Sequence, residues 1–478
     1  MTPPHRIPSG RPCPRRWAAL LLVGLGLGLA HAGAGKPLLR DRQQVVMLGD
    51  SLTEGEDPDG YVNTTRVLLA VLEPRRAYFI ANAGKGGDTA VNMDNRLERD
   101  VLRFHPDWVT VSAGVNDINH GLSPQPAPEG PRGVPLPLFQ TTVTNLVRRL
   151  QALPARVALF SGTVIQEDLA RRENGLMEQY AAALRDIARH HDCLLVDTRR
   201  AFVDALRPDQ RPGMPVSGVL TADGVHLRPE GSWLMARTLV AAWGFPIERI
   251  DRARPAVERE INRQRVRLQA NLTHYAAANQ ADGLPAPGEL RVVCLSLGGL
   301  GEAMGPTASG PIRRLERGLE GETTRQLRMR FHQDVVALKP VAVVWLLGAC
   351  EDRRPEYRMS PIDTETHVAR IARLAKGSGI RVTFGSFTPV NPSLARKHRQ
   401  PAPEPATIAR LNAWLRALCV ENGYTFVDLT SPLAEARGWL RPEFTDDGWH
   451  PNAAGRAALR STLDRAFDSL QPMAPAAP

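Results

Sequence analysis

"VVMLGDSLTEG", Val45 to Gly55, is a short apolar run halted by Gly49 and Asp50, with Ser51 directly behind. Unbroken apolar residues over this length suit a strand buried on both faces, the kind that parallel sheets use. The same signature returns in "AYFIANAG", "DWVTVSAG", "RVALFSG" and "CLLVDT". Between these runs, "TTVTNLVRRLQAL" and "GLMEQYAAALRDIARHH" carry helical spacing. Strands alternating with amphipathic helices predict an α/β fold, a parallel sheet covered on both faces. In such sheets ligands bind at the carboxyl ends of the strands, which is where Ser51 stands.

The pattern then starts again. "RVVCLSLG", "VAVVWLLGA", "RVTFGSF" and "YTFVDL" form a second set of short apolar runs. Setting Gly87 against Gly321 runs Gly86–Asp117 along the stretch Glu320–Asp352 without a gap, Asp117 falling on Glu351. Thr89 then meets Thr323, Arg96 meets Arg330, Asp100 meets Asp334, Pro106 meets Pro340 and Gly114 meets Gly348. Further on, "TADGVHLRPEGSWLMA" (Thr221–Ala236) matches "TDDGWHPNAAGRAAL" (Thr445–Leu459). The chain therefore reads as a tandem duplication. "PAVEREINRQRVRLQANLTHYAAANQ" (Pro255–Gln280) lies between the copies, with Val257, Ile261, Leu268 and Leu272 on one face. Pro255 suits the first position of that helix. The expected organisation is a leader over 1–32, a first domain over 33–246, a helical linker over 247–288, a second domain over 289–472 and a tail over 473–478.

The leader rests on "RPCPRRWAALLLVGLGLGLAHAGAG". Arg11, Arg15 and Arg16 precede an apolar run from Trp17 to Ala30, and Ala30-His31-Ala32 is a small-residue cleavage pattern. The run is short for a bilayer span, which takes about 20 residues. A secretory signal cleaved after Ala32 is expected, leaving the protein secreted or periplasmic without stable membrane insertion; an uncleaved anchor is the competing reading. Hydrophobic residues make up 43% and charged residues 23%, ordinary for a globular protein long enough for two or three domains. Of the net charge of +10, four charges leave with Arg6, Arg11, Arg15 and Arg16. The remainder is spread, with no basic run interleaved with aromatics, so no nucleic-acid partner is expected beyond non-specific attraction. The five cysteines show no CxxC or metal spacing and no disulfide framework, so buried free thiols are expected. No metal site or nucleotide loop is legible, and no cofactor is expected. Oligomeric state is not legible.

Four segments of the first copy should meet at one sheet edge. Ser51 follows the first strand, Gly87 in "GKGGDT" the second and Asn116 in "GVND" the third, while Asp223 and His226 lie in "DGVH". Each alone has a plainer reading as a turn or helix cap. Together they carry a chemistry. A serine hydroxyl needs a base to take its proton. A histidine three residues after an aspartate can be that base, with the carboxylate fixing its tautomer. Amide donors close by would stabilise the oxyanion formed by attack on an ester.

These four blocks, in this order, resemble those of the SGNH (GDSL) hydrolase family over nearly all of the first copy. The resemblance implies two flavodoxin-like three-layer α/β/α domains in tandem. It also implies a serine esterase with Ser51, Asp223 and His226 as catalytic residues and Ser51, Gly87 and Asn116 as oxyanion donors. Asp50 and Asp117, beside Ser51 and Asn116, are candidate supports. Family members include carbohydrate acetylesterases, lysophospholipases, thioesterases and arylesterases. An exported enzyme with an extra domain suggests an acetyl or short acyl ester on a carbohydrate; a lipid-like acyl ester and a non-catalytic glycan-binding role are the alternatives. "HGLSPQPAPEGPRGVPLPLF" (His120–Phe139) reads from its prolines as a stiff loop bordering the pocket, or as a surface insertion elsewhere.

The second copy has lost this constellation. With Val292-Val293 on Val45-Val46, Ser51 becomes Gly298 and Asn116 becomes Cys350, while Gly321, Asp447 and His450 remain. Ser296 lies two strand residues early, ~6.6 Å away, too far to serve His450. Cys350 stands where a donor belongs. A degenerate domain is expected, its Asp447–His450 pair structural.

Overall fold

The computed structural model describes residues 37–55, 58–122, 133–210, 217–296, 300, 312–319, 321–348, 361–397, 402–468 and 470. Among them the strands sort into two parallel sheets. The first holds β1 (Gln44–Gly49), β2 (Phe79–Gly84), β3 (Trp108–Ser112), β4 (Arg156–Phe160) and β5 (Leu194–Val196), in the order β2-β1-β3-β4-β5. The second holds β6 (Leu290–Ser296), β7 (Ile312–Glu316), β8 (Ala342–Leu346), β9 (Arg381–Gly385) and β10 (Thr425–Val427), in the order β10-β9-β8-β6-β7. Counted within its own copy, each sheet runs 2-1-3-4-5, the flavodoxin-like order. Its switch point lies beside the first strand, at the end where Ser51 follows β1.

The helices that serve the first sheet are α1 (Ser51–Glu54), α2 (Tyr61–Leu72), α3 (Ala90–Asn95), α4 (Leu97–Asp100), α5 (Val115–Leu122), α6 (Leu136–Gln151), α7 (Arg172–His190), α8 (Thr198–Leu206) and α9 (Pro229–Ala242). Next come α10 (Ile247–His274) and α11 (Ala276–Asp282). The second copy adds α12 (Thr324–Asp334), α13 (Pro361–Gly377), α14 (Pro392–Lys397), α15 (Pro405–Asn422) and α16 (Ala453–Asp468). Successive strand side chains point to opposite faces, and the two cores divide accordingly. Val46, Leu48, Val109 and Val111 pack with α6 and α7 through Phe139, Leu146, Met177 and Leu184. Val45, Met47, Trp108 and Phe160 pack with α2, α8 and α9 through Leu68, Phe202 and Leu239. The second sheet repeats this, with Val293, Trp345 and Phe384 on one side and Val292, Val344 and Leu346 on the other.

The duplication is visible in local geometry. β1 pairs with β3 at Val45–Trp108, and β6 pairs with β8 at Val292–Ala342, the same register. Thr89 and Thr323 each close a capping box, with Asn92 and Gln326. His105 and Lys339 share a left-handed backbone, at φ 47° and 48°. The bridge Thr221–Leu227 has its twin in Thr445–Pro451.

Two expectations need correction, and one strand escaped the sequence reading. The connecting helix starts at Ile247, with Pro255 inside it. Pro246 supplies the cap residue, and burial of Ile250, Ala253 and Val257 against α2 and α9 outweighs the hydrogen bond that Pro255 cannot make. β7 gave no apolar run, because "IRRLE" is an edge strand with charged residues among its few. The proline-rich stretch after Asn116 is narrower than His120–Phe139, since α5 continues to Leu122 and α6 starts at Leu136. Its centre, 123–132, lies outside the described residues.

The two copies touch directly. Ile362 of α13 is buried in the same cluster as Val46, Ala81 and Val109 of the first. The connecting helix is tied to the first copy as well, where Asn63 on α2 donates to Gln264 on α10 at 2.7 Å.

Candidate active site

Ser51 opens α1 straight off the end of β1. The turn is too tight for a side chain at Gly49, where a Cβ would lie 2.0 Å from Thr53 Oγ1. Asp50 caps the helix, its Oδ1 accepting from the Leu52 amide at 2.9 Å. The Ser51 amide is at the first helical position, where no helix carbonyl can accept from it.

The loop after β2 brings Gly87 alongside. A Cβ on Gly86 would lie 3.9 Å from Ser51 Cβ. Gly87 has φ +80°, and a Cβ there would meet nothing within 4 Å, so the loop is open at this point. Among the described residues none accepts from the Gly87 amide. Arg96 clamps the loop from below. Its Nε donates to Asp88 at 2.5 Å and its Nη2 to the Gly49 carbonyl at 2.9 Å. One buried guanidinium thus joins the end of β1 to the residue after Gly87. Asn116, near the start of α5, donates through Nδ2 to the Asp88 carbonyl at 3.0 Å, which leaves its second amide hydrogen available.

His226 comes from a loop pinned at its base by Glu167. This buried carboxylate accepts from the amides of Val219, Leu220 and Thr221 at 2.9, 2.7 and 2.6 Å. Gly224, at φ 95°, turns the chain, and Asp223 Oδ1 accepts from the amides of Val225 and His226. His226 Nδ1 meets Asp223 Oδ2 at 2.6 Å, and Nε2 meets Ser51 Oγ at 3.0 Å. Burial pulls the Asp223 pKa upward, but the His226 ring and the two amides outweigh it and hold the carboxyl below its usual range. Such a row can move a proton from the hydroxyl to the ring and stabilise the resulting imidazolium.

Asp50 and Asp117 are buried beneath the site. Burial, aided by the charge of Asp117, pushes the Asp50 pKa up to about 7 against the pull of the Leu52 amide. Burial likewise raises Asp117 to about 6, although it accepts from the amides of Ala90 and Gly114 at 3.0 and 3.1 Å. Those two bonds tie the start of α3 to the end of β3, fixing the Gly87 loop relative to Asn116.

The structure therefore brings Ser51, Gly87, Asn116, Asp223 and His226 to one edge, with Asp50 and Asp117 under them. In the second copy Asp447 and His450 form the matching pair, Nδ1 to Oδ2 at 2.6 Å. Burial acts upward on Asp447, but the amides of His450 and Trp449 and the His450 ring take it down to about 2. Gly321 is held by Arg267 of α10, which donates to its carbonyl at 2.9 Å. Gly298 and Cys350 lie outside the described residues. In the sequence Arg96 stands out only through its repeat partner Arg330, and Glu167 carries no signal at all.

The sequence profile of the GDSL-like lipase/acylhydrolase family matches residues 47–234 and again 301–458, well over half of the chain. The protein belongs to this family of ester-hydrolysing enzymes, and the two matched regions are its two copies. The acetylxylan esterase of Geobacillus stearothermophilus is 27% identical over 218 residues, covering 45% of this chain and 96% of that one. A crystal structure of that species' acetylxylan esterase superposes with a TM-score of 0.39 at 26% identity, over 43% of this chain and 96% of the other. The acetyl xylan esterase AlAXEase gives a TM-score of 0.38 at 28% identity, over 42% and 98%.

Proposed function

We propose that this protein is an exported serine esterase that removes an acetyl or short acyl group from a carbohydrate, using Ser51, His226 and Asp223. The hydrogen-bonded row from Ser51 Oγ through the His226 ring to Asp223, with contacts of 3.0 and 2.6 Å, carries the reading. His226 takes the Ser51 proton as Oγ attacks the ester carbonyl. The amides of Ser51 and Gly87 and the Asn116 side chain receive the oxyanion, each worth roughly 3 kcal/mol of barrier. The tetrahedral adduct collapses to an acyl-enzyme while His226 returns the proton to the leaving alcohol. Water, deprotonated by the same ring, then releases the acid.

In this reading residues 33–246 form the catalytic domain, 247–288 the helical connection, and 289–472 a family domain without a nucleophile. Export rests on residues 1–32, with cleavage after Ala32. The carbohydrate ester is favoured by the likeness to acetylxylan esterase.

Hydrolysis of p-nitrophenyl acetate by wild type and Ser51→Ala tests the chemistry. Acetylated xylooligosaccharide set against lysophosphatidylcholine, and acetyl against octanoyl esters, tests the substrate. Preference for lysolipid and octanoyl esters would replace the carbohydrate assignment with a lipid one. Equal rates for wild type and Ser51→Ala would remove the nucleophile.

A further inference from the structure

We propose that Arg370, on α13 of the second copy, is a positioning residue for the oxyanion loop of the first; this rests on the reading of Ser51 and Gly87 above. The first sheet ends on β2, and the loop that bears Gly87 springs from it. An edge strand presents unpaired backbone groups. Here α13 takes up two of them, the Asn82 amide and the Gly84 carbonyl. Asp363 Oδ1 accepts from the half-buried Asn82 amide at 3.1 Å and from the buried Arg66 at 3.2 Å. Two turns on, Arg370 falls on the same side of the helix.

Arg370 holds both ends of the turn that precedes Gly87. Its Nη2 donates to the Gly84 carbonyl. Its Nη1 lies 3.3 Å from Glu54 Oε1. The other oxygen of Glu54 accepts from the Gly86 amide at 2.6 Å. Glu54 is the last residue of the short helix that Ser51 begins. One guanidinium therefore ties the helix of the nucleophile to the loop of the second oxyanion donor. The spacing between the Ser51 and Gly87 amides depends on that tie.

The Arg370 side chain keeps 19% of its exposure and that of Glu54 30%, so the pair is partly desolvated and sits at the rim. The buried pair of Arg66 and Asp363 joins the copies separately. Loss of Arg370 should thus loosen the loop while the copies stay docked. Donors aimed at the oxyanion act in the transition state, so the loss falls on kcat rather than KM.

The test uses the full chain, p-nitrophenyl acetate kinetics and thermal unfolding on Arg370→Met, Arg370→Lys, Glu54→Gln and Ser51→Ala. Arg370→Met is expected to lower kcat by about 10- to 100-fold, with KM within about twofold and Tm near wild type. Arg370→Lys should recover part of kcat, since an ammonium can keep one of the two contacts. Should Arg370→Met fail to fold, Glu54→Gln carries the same expectation of a selective fall in kcat. Wild-type kcat in folded Arg370→Met or, in its place, Glu54→Gln, beside an inactive Ser51→Ala, overturns the positioning role alone. A fully active Ser51→Ala overturns both the site and the role built on it.

Discussion

His226 Nε2 stands 3.0 Å from Ser51 Oγ, although 175 positions separate the two residues in the chain. The contact depends on Asp223, which holds the other ring nitrogen at 2.6 Å. Asp223→Asn keeps the shape but removes the charge and favours the wrong tautomer. It is expected to lower kcat by about 10⁴-fold with little change in Tm, measured on p-nitrophenyl acetate.

Asp50 makes stability depend on pH. Its pKa is about 7 in the folded protein against 3.8 for the free side chain. Between these values the folded chain holds a proton that the unfolded chain has released. Stability from this group is therefore complete below about pH 4, declines as pH rises, and levels off above about pH 7. Asp50→Asn has no such decline. Its unfolding free energy relative to wild type should rise by up to ~4 kcal/mol between those limits, read from denaturant titrations at several pH values.

Arg96 and Arg330 are a matched pair of probes. Arg96 joins Asp88, Asp100 and the Gly49 carbonyl; Arg330 joins Glu322, Asp334 and the Arg317 carbonyl. Breaking either buried network should cost ~3–5 kcal/mol. Below both unfolding transitions, only Arg96→Met should lose kcat, by at least about tenfold, because its loop carries Gly87.

Asp447 and His450 should matter for stability alone. The Asp447 pKa of about 2 lies below its free value of 3.8, so its contribution is present above about pH 4 and is lost as pH falls toward 2. Asp447→Asn should lower Tm at neutral pH, and the gap to wild type should close on acidification across that window. His450→Ala should leave kcat within about twofold of wild type. Adding Gly298→Ser to Ser51→Ala should restore no activity.

The buried strands could be read in advance because a parallel strand covered on both faces is an apolar run bounded by Gly, Asp or Ser. β7 escaped because an edge strand need not be apolar, as Arg313 and Arg314 illustrate. The row of Ser51, Asp223 and His226 was legible because a hydroxyl nucleophile needs a base and an orienting carboxylate, and the sequence offers Ser51 just after an apolar run and His226 three positions past Asp223. Glu167 was not, since a carboxylate that caps three amides looks in sequence like any surface acid. Arg370 was hidden for another reason. Its partner Gly84 lies 286 positions away, in the other copy, and no periodicity encodes which helix covers a sheet edge. Pro255 shows the limit of punctuation rules. A proline that marks a helix start in isolation is carried inside α10 once the faces around it are buried.

The most direct test of the account is to treat the full chain with a serine-directed organophosphonate and determine the site by intact mass and peptide mapping. One phosphonyl group per chain is predicted, on Ser51, with loss of hydrolysis in step with labelling and no adduct in Ser51→Ala. Stoichiometric labelling at another residue, or full esterase activity after Ser51 is modified, would contradict the claim that this hydroxyl performs the reaction.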